Sequence, residues 1–502
     1  MTGSREAFRK YTDAETFEKI REMDTIAEMW ESVTTEYADA PAIQDGEKIY
    51  SFRETEEEVA LLRGLLTEKG LKKGDIVGVY AVNSFDFVKA YLASVTLGLM
   101  AVIMPPHLDE QTVFGITMKF GMKALLYHPS LAEKTAFAKS HGSKAIFIET
   151  TEKGAEKAPI CASLTKNDPA VVMFTGGTTG KSKGALLSHG AVMQGTVNGC
   201  YGVQNVFGQR YLLILPLTHV FGLIRNLMTS LYTGSVLCIC RNNKDMFRDI
   251  AVFRPTIMVM VPALAEMALT LSKKFGKNML GADLKTIIAG AAMVPPYLIR
   301  EYDKLGINLL AGYGLTESAN LVSGNPESLK KPDSVGLPYP NQELKVVDGE
   351  LWLRGANMMI GYVGEEENAY EDGWFKTGDL VRFDEDGYLY ITGRIKEIIV
   401  LPTGENISPA EVENYFNALT CVQDSQVFED VNPAGQHILA LEVVPRMTEL
   451  SGIEDVPAFV TEELRKVNET LPSFMRVSKM TIRTEDFKRT PSMKIERYKL
   501  CK

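Results

Sequence analysis

From Asp75 to Glu149 short apolar runs alternate with amphipathic stretches: DIVGVYAV, SFDFVKAYLASVTLG, AVIMP, KALLYH and KAIFIE are the clearest. Runs of that kind, bounded by turns and separated by helical patterns, are the pattern of parallel strands covered on both faces by helices. The alternation returns with YLLILPL, SVLCIC, TIMVMVP, LKTIIAG and INLLAGYG, separated by helical segments such as Leu264 to Phe275 and Pro296 to Lys304. Two successive series predict two packed βα subdomains with ligand sites at the carboxyl ends of their strands. The loops after Phe174, Leu215, Ile288 and Leu310 are expected to meet around one cleft.

Past Lys330 the texture changes to short strand-like runs and polar turns, ELKVVDGELWLRG and WFKTGDLVRFDEDGYLYITGR, with hairpin turns expected at Asp348-Gly349 and Asp386-Gly387. A boundary is expected around Arg394 to Glu397. The fold class is therefore α/β: a large N-terminal domain, 1–395, of two βα subdomains plus a β-rich piece, then a small α+β domain, 396–502. The second ends in a basic tail, KRTPSMKIERYKLCK.

Thr175 to Gly184, TGGTTGKSKG, follows an apolar run, Ala170 to Phe174, that reads as a buried strand. Glycines let backbone N–H groups turn inward around an anion, threonine hydroxyls add donors, and Lys181 and Lys183 add charge. This composition predicts a phosphate-binding loop. It is not the GxxxxGK[ST] kind, because Thr175 stands where that pattern needs its first glycine.

A net charge of −10 argues against broad attraction to nucleic acid or to anionic membrane, so an anion site has to be built locally. The six cysteines show no CxxC pair or metal-ligand spacing and read as reduced core thiols of a cytoplasmic protein. MTGSREAFRKYTDAE lacks the apolar run of a signal peptide, and Tyr91 to Met104 is too short to span a bilayer, reading better as a buried helix and a strand. No integral membrane segment is expected; a peripheral contact would leave little trace in a sequence.

The strand-end loops contain LPLTHVFGL (215–223), AGAAMVP (289–295) and GYGLTES (312–318); later come WFKTGDL (374–380), GRIKEIIVLPTGENISPAEVE (393–413) and TPSMKIER (490–497). Together with TGGTTGKSKGALLSHG, in this order and over most of the chain, they resemble the acyl-adenylate-forming superfamily of acyl-CoA synthetases, peptide-synthetase adenylation domains and firefly-type luciferases. The phrasing looks most like a bacterial acyl-CoA synthetase of the fatty-acid type. That resemblance implies two half-reactions: a carboxylate attacks the α-phosphorus of Mg-ATP to give acyl-AMP and pyrophosphate, then a thiol, usually CoA, displaces AMP.

It also implies roles. Thr175, Gly176, Gly177, Thr178, Thr179, Gly180 and Lys183 would wrap the β- and γ-phosphates, and Thr178 and Glu317 would stand by Mg²⁺. Tyr313 would stack on adenine, near Gly290, Ala291, Ala292 and Gly314, with Thr316 on the nucleotide phosphate. Asp379 and Arg394 would hold the ribose. Lys494 would bridge the reacting carboxylate and α-phosphate, with Met493 standing where the family carries glycine. His219 would sit beside the acyl carboxylate and the thiol route, with positioning or gating favoured and a general base as the alternative. Lys396 would be the hinge of a mobile C-terminal domain, and Gly404, Glu405 and Asn406 would face the site after rotation. His189 is assigned no chemistry.

The acyl pocket is expected around Val220 to Asn226, Ala289 to Met293 and Gly314. Phe221, Leu223, Ile224, Ala291, Ala292 and Met293 make it apolar, with no evident charged partner for a second carboxylate. A hydrophobic monocarboxylic acid is expected, a medium- or long-chain fatty acid first and an aryl or branched acid second. An acyl carrier protein as thiol acceptor, a stand-alone adenylation enzyme, a P-loop phosphotransferase and a degenerate nucleotide-binding regulator stand as alternatives.

Overall fold

A computed structural model describes residues 1–175, 183–365, 369–400, 406–432, 435, 437–489 and 495–497. The first βα series forms a seven-stranded sheet with Ile76–Tyr80 near its middle, flanked by Met100–Met104 and Ala124–Tyr127 in parallel register. Beyond Met100–Met104 comes Pro169–Phe174, which also pairs in parallel. Next to it lies Gly184–Ser188, antiparallel, with Phe174 opposite Gly184. The predicted phosphate loop is thus spanned by two strands of one hairpin, not by a strand and a helix.

The second series forms a nine-stranded sheet in which Arg210–Leu213, Ile257–Met260, Thr286–Ala289 and Asn308–Tyr313 run parallel. Helix Phe85–Thr96 shares one apolar core with both sheets and is buried along its whole length. Its sequence explains this: the only charges are Asp86 and Lys89, which pair with each other at 3.1 Å, and Ser84 caps its start by accepting from the Phe87 N–H. The apolar stretch from Tyr91 to Met104 is the end of this helix and the strand after it, and no helix among the described residues is long and apolar enough to cross a membrane.

The second helical segment of interest is wound more loosely than expected. Phe221–Met228 is a π-helix, and the Thr229 N–H reaches the Ile224 carbonyl five residues back. Past it, Gln342–Val347, Glu350–Gly355, Trp374–Phe383 and Leu389–Arg394 build the expected antiparallel piece. Asp348 and Gly349 turn its first hairpin with φ of 50° and 83°.

A separate apolar core begins at Ile399 and gathers Val412, Phe416, Leu441, Val460 and Leu464. It lies between a three-stranded sheet and helices Pro409–Asn417 and Val456–Thr470, the α+β arrangement expected of the C-terminal domain.

Candidate active site

The base of the glycine loop is closed by two bonds. Thr175 N–H donates to the Lys183 carbonyl at 2.8 Å, and Lys183 N–H donates to Thr175 Oγ1 at 3.2 Å. Gly176, Gly177, Thr178, Thr179, Gly180 and Lys181 lie outside the described residues. Lys183 holds its ammonium 4.9 Å from the centre of the Tyr362 ring and 3.4 Å from Glu365 Oε2. Both charged side chains are more than a third exposed, so the ion pair is weak and leaves the lysine available to a stronger anion.

Tyr362 is the joint between that lysine and the GYGLTES turn. Its hydroxyl donates to Glu317 Oε1 at 2.6 Å, and burial together with the Glu317 charge pushes the phenol far above its ordinary range. The Glu317 backbone is held too, because its carbonyl accepts from the Met359 N–H at 2.8 Å. Thr316 opens the same short 3-10 turn, Thr316–Ser318.

On the other side of the turn, Tyr313 ends its strand with its hydroxyl on Asp379 Oδ2 at 2.5 Å, while Arg394 Nε donates to Asp379 Oδ1 at 2.5 Å. Strand register explains the pair, since Asp379 and Arg394 stand directly opposite each other in the antiparallel ladder. Asp379 is buried. Burial and the Asp379 charge push the Tyr313 phenol well up; burial works against the Arg394 charge, yet the Asp379 carboxylate more than offsets it and raises that pKa. A carboxylate has about four lone-pair directions, so Asp379 keeps acceptor capacity for two further donors.

Glycines bring the remaining loops together. A Cβ on Gly290 would stand 3.1 Å from the Gly312 carbonyl and 3.4 Å from the tip of the Phe221 ring, which puts AGAAM, GYGLTES and LPLTHVFGL in mutual contact. On Gly314 a Cβ would fall 1.3 Å from the Asn320 carbonyl, so only glycine fits. Ala291 takes a positive φ of 64°, a turn that costs an alanine energy, and Ala292 and Met293 stand exposed after it. His219 is half-buried; its Nδ1 accepts from the Phe221 N–H at 3.2 Å, which in a neutral ring places the proton on Nε2. The ring then presents a donor there, not a base.

In the C-terminal domain, Lys396 is exposed in the short turn Ile395–Glu397, immediately after the strand that ends at Arg394. Val400 pairs with Asn406 across Gly404 and Glu405, and Arg489 pairs with Ile495 across the segment that carries Lys494. Gly404, Glu405, Met493 and Lys494 lie outside the described residues. Arg497, just beyond, is clamped by Glu413 through two bonds of 2.7 Å and by Glu397 at 3.3 Å. His189 is fully buried at the start of its helix, where burial takes its pKa down to about 4, consistent with a structural part.

Three residues of the site were not singled out from the sequence. Tyr362 sits in GYVG, a run that carried only a strand signal. Asn357 is buried and donates to the carbonyls of Ser318 and Leu321 at 3.0 and 2.9 Å, clamping the GYGLTES turn from behind. Arg225 lies on the π-helix, inside the stretch Val220 to Asn226 expected to surround the acyl group, and is buried. A lone basic residue in the otherwise apolar VFGLIRNLM was the available signal.

Residues 30–363 match the family model described as AMP-binding enzyme. Among curated relatives, the chain is 29% identical over 462 residues to 4-coumarate--CoA ligase-like 6 of Arabidopsis thaliana, covering 82% of this chain and 80% of that one. It is 28% identical over 483 residues to a long-chain-fatty-acid--CoA ligase of Yersinia pestis, covering 84% and 85%. Among solved structures, the fold is shared with an anthranilate CoA ligase, AuaEII, in complex with anthranoyl-AMP, at TM-score 0.81 and 20% identity over 95% of this chain and 96% of that one. It is shared equally with the o-succinylbenzoate CoA synthetase of Bacillus subtilis in complex with its acyl-adenylate, at TM-score 0.78 and 24% identity over 96% and 99%. The loops that converge here lie within or just beyond a matched stretch spanning more than half of the sequence, and the chain belongs to the family of AMP-binding enzymes.

Proposed function

We propose that the protein is an ATP-dependent, AMP-forming ligase that activates a carboxylic acid with an extended apolar body, of the fatty-acid class, and passes the acyl group to CoA. One observation carries the reading: Lys183, Tyr362 and Glu317 on one side of the GYGLTES turn, and Tyr313, Asp379 and Arg394 on the other, form two hydrogen-bonded or stacked groups held by a single turn. This arrangement supports a reading in which Lys183 and Glu317 serve the phosphate side and Asp379 the ribose side of one nucleotide. Relatives named as CoA ligases, for long-chain fatty acids and for indoleacetate among them, support CoA over a carrier protein as the acceptor.

In this reading Thr175 to Lys183 surround the β- and γ-phosphates, Thr178 and Thr179 donating hydroxyl hydrogen bonds and Lys183 leaving Glu365 to meet the anion. Tyr313 lies along the adenine beside Gly290, Ala291, Ala292 and Gly314, and Thr316 donates to the nucleotide phosphate. Asp379 accepts from the ribose hydroxyls while Arg394 holds its carboxylate in place. Glu317, a hard oxygen ligand with one oxygen already fixed by Tyr362, suits Mg²⁺, with Thr178 beside it; among the described residues no cluster of three or more potential ligands exists, so phosphate oxygens would complete the shell. The metal would offset phosphate charge.

The attacking acid carboxylate is oriented by the Nε2–H of His219. Lys494, carried on the mobile domain 396–502 that turns about Lys396, places its ammonium where charge develops between carboxylate and α-phosphate. The bond formed joins carboxylate oxygen to phosphorus, the bond broken releases pyrophosphate, and the thiol sulfur of CoA then displaces AMP from the acyl carbon. The lysine must withdraw before the thiol enters, which is the part that domain rotation plays.

The test is carboxylate-dependent exchange of labelled pyrophosphate into ATP over a graded panel of acids, followed by CoA addition. Exchange that depends on the acid, and AMP release with thioester formation once CoA is added, are the expected results. ADP as the nucleotide product, or nucleotide binding with no exchange for any acid, would rule the reading out.

A further inference from the structure

Among the described residues three arginines are almost wholly excluded from solvent: Arg63, Arg225 and Arg446. Two of them have an acid partner. Arg63 binds Glu56, with Thr96 Oγ1 and the Ala158 carbonyl beside it, and Arg446 binds Glu266 and the Thr420 carbonyl. Arg225 is 1% exposed, its Nη1 has no hydrogen-bond partner, and no described acid pairs with it.

A guanidinium cannot shed its proton at ordinary pH, and a buried charge without a counter-charge is strongly unfavourable. The surroundings do not provide that counter-charge. Cys200, Tyr211 and Tyr339 are the groups that feel Arg225, and burial pushes each of them up to about 12, so all three are neutral. The Tyr211 hydroxyl lies beside Arg225 and is a neutral neighbour, not a counter-charge. The described groups of this region therefore offer the guanidinium no anion.

The helix places this region relative to the cleft. Arg225 follows Phe221 by four residues in Phe221–Met228, so the two side chains share a face, with Arg225 one turn further from the strand ends. Phe221 is the residue whose ring tip approaches Gly290 at the mouth. Between them, Ile224 lies against Gly195 of helix His189–Asn198, where a Cβ would stand 3.1 Å from Ile224 Cγ2 and 2.3 Å from the Ala319 carbonyl.

We propose that Arg225 is the specificity-determining residue for the far end of the acid, and that the substrate is a dicarboxylic acid. One carboxylate is activated beside His219; the other forms a paired, two-bond contact with the Arg225 guanidinium, which follows Phe221 and Ile224 on the same helix. The planar fork of arginine matches a carboxylate in a way that a hydroxyl or a methyl terminus cannot reproduce. The proposal rests on the acid-activating reading above and narrows it to the ω-carboxy members of the fatty-acid class.

The experiment compares pyrophosphate exchange on three matched series: α,ω-diacids, their monomethyl half-esters and monoacids of equal length. The wild-type enzyme is expected to favour the best diacid over its half-ester and over the matching monoacid by on the order of a hundredfold in kcat/KM. Arg225→Met is expected to reverse the order, and Arg225→Lys to keep part of the diacid preference. Exchange on monoacids or half-esters equal to that on diacids in the wild-type protein overturns this proposal alone, whatever the variants do. Absence of exchange with every acid overturns the activation reading and this proposal with it.

Discussion

Arg446 of the C-terminal domain donates from Nε to Glu266 Oε1 at 2.8 Å, across the boundary between the two domains. Its guanidinium also lies 4.1 Å from the centre of the Tyr297 ring, and Lys273 beside it pairs with both Glu301 and Glu449. Because Arg446 is buried, removing it strands Glu266 against the interface. Arg446→Ala is expected to weaken domain docking by about 3 kcal/mol. Limited proteolysis of the linker after Arg394 should accelerate in the variant; an unchanged cleavage rate would show that the contact does not hold the domains together.

Lys494→Ala is expected to separate the half-reactions. Pyrophosphate exchange is expected to fall by about a hundredfold or more, because the lost charge acts only where the transition state develops it. Thioester formation from supplied acyl-AMP and CoA is expected to survive. Equal loss in both assays would assign the lysine to folding or to general binding.

Tyr362→Phe keeps the ring under Lys183 and removes only the hydroxyl that holds Glu317. Hydrogen bonds to charged groups are worth about 1.5–3 kcal/mol, so a loss of roughly tenfold to a hundredfold in exchange is expected. Tyr362 is a positioning residue, and the readout specific to that role is a raised Mg²⁺ requirement. A variant with normal Mg²⁺ dependence would detach Tyr362 from the metal side of the site.

Asp379→Asn leaves the shape of the ribose side intact but gives Arg394 and Tyr313 a neutral partner in place of a charged one. The KM for ATP is expected to rise by roughly tenfold or more, with a smaller change in kcat. Equilibrium binding of ATP measures the same loss without turnover.

His189 supplies a pH dependence that belongs to folding. Burial lowers its pKa from 6.5 to about 4, so the folded protein prefers the neutral ring while the unfolded chain takes up a proton at higher pH. Its contribution to stability is whole above 6.5 and declines as pH falls from there toward 4, by about 3 kcal/mol at most. Denaturation by urea at neutral pH and within that window should show the decline, and His189→Gln, which retains an acceptor for the Ile26 N–H, should flatten it.

The βα alternation was legible because buried parallel strands must be continuously apolar, and the strand ends then fixed which loops converge. Pro296–Lys304 was readable to the residue, since proline opens it and a polar turn ends it. The π winding of Phe221–Met228 was not readable, because one extra residue per turn leaves an apolar helix looking like any other. Tyr362 and Asn357 escaped for a different reason: both reach the GYGLTES turn from more than thirty residues away, through side-chain hydrogen bonds that no local pattern encodes. Arg225 was visible as a letter, but its lack of a described acid partner is a property of three dimensions.

Arg394 forms the last rung of its ladder, directly opposite Asp379, and the chain leaves for the smaller domain immediately afterwards through Ile395 and Lys396. The rung that would feel a sugar is therefore also the fixed end of the tether. Under the proposed reading, bracing it would stiffen the swivel at its root and slackening it would free the root, so that occupancy of the nucleotide pocket and the leaning of the small lobe would be geared to one another by a single pair of side chains.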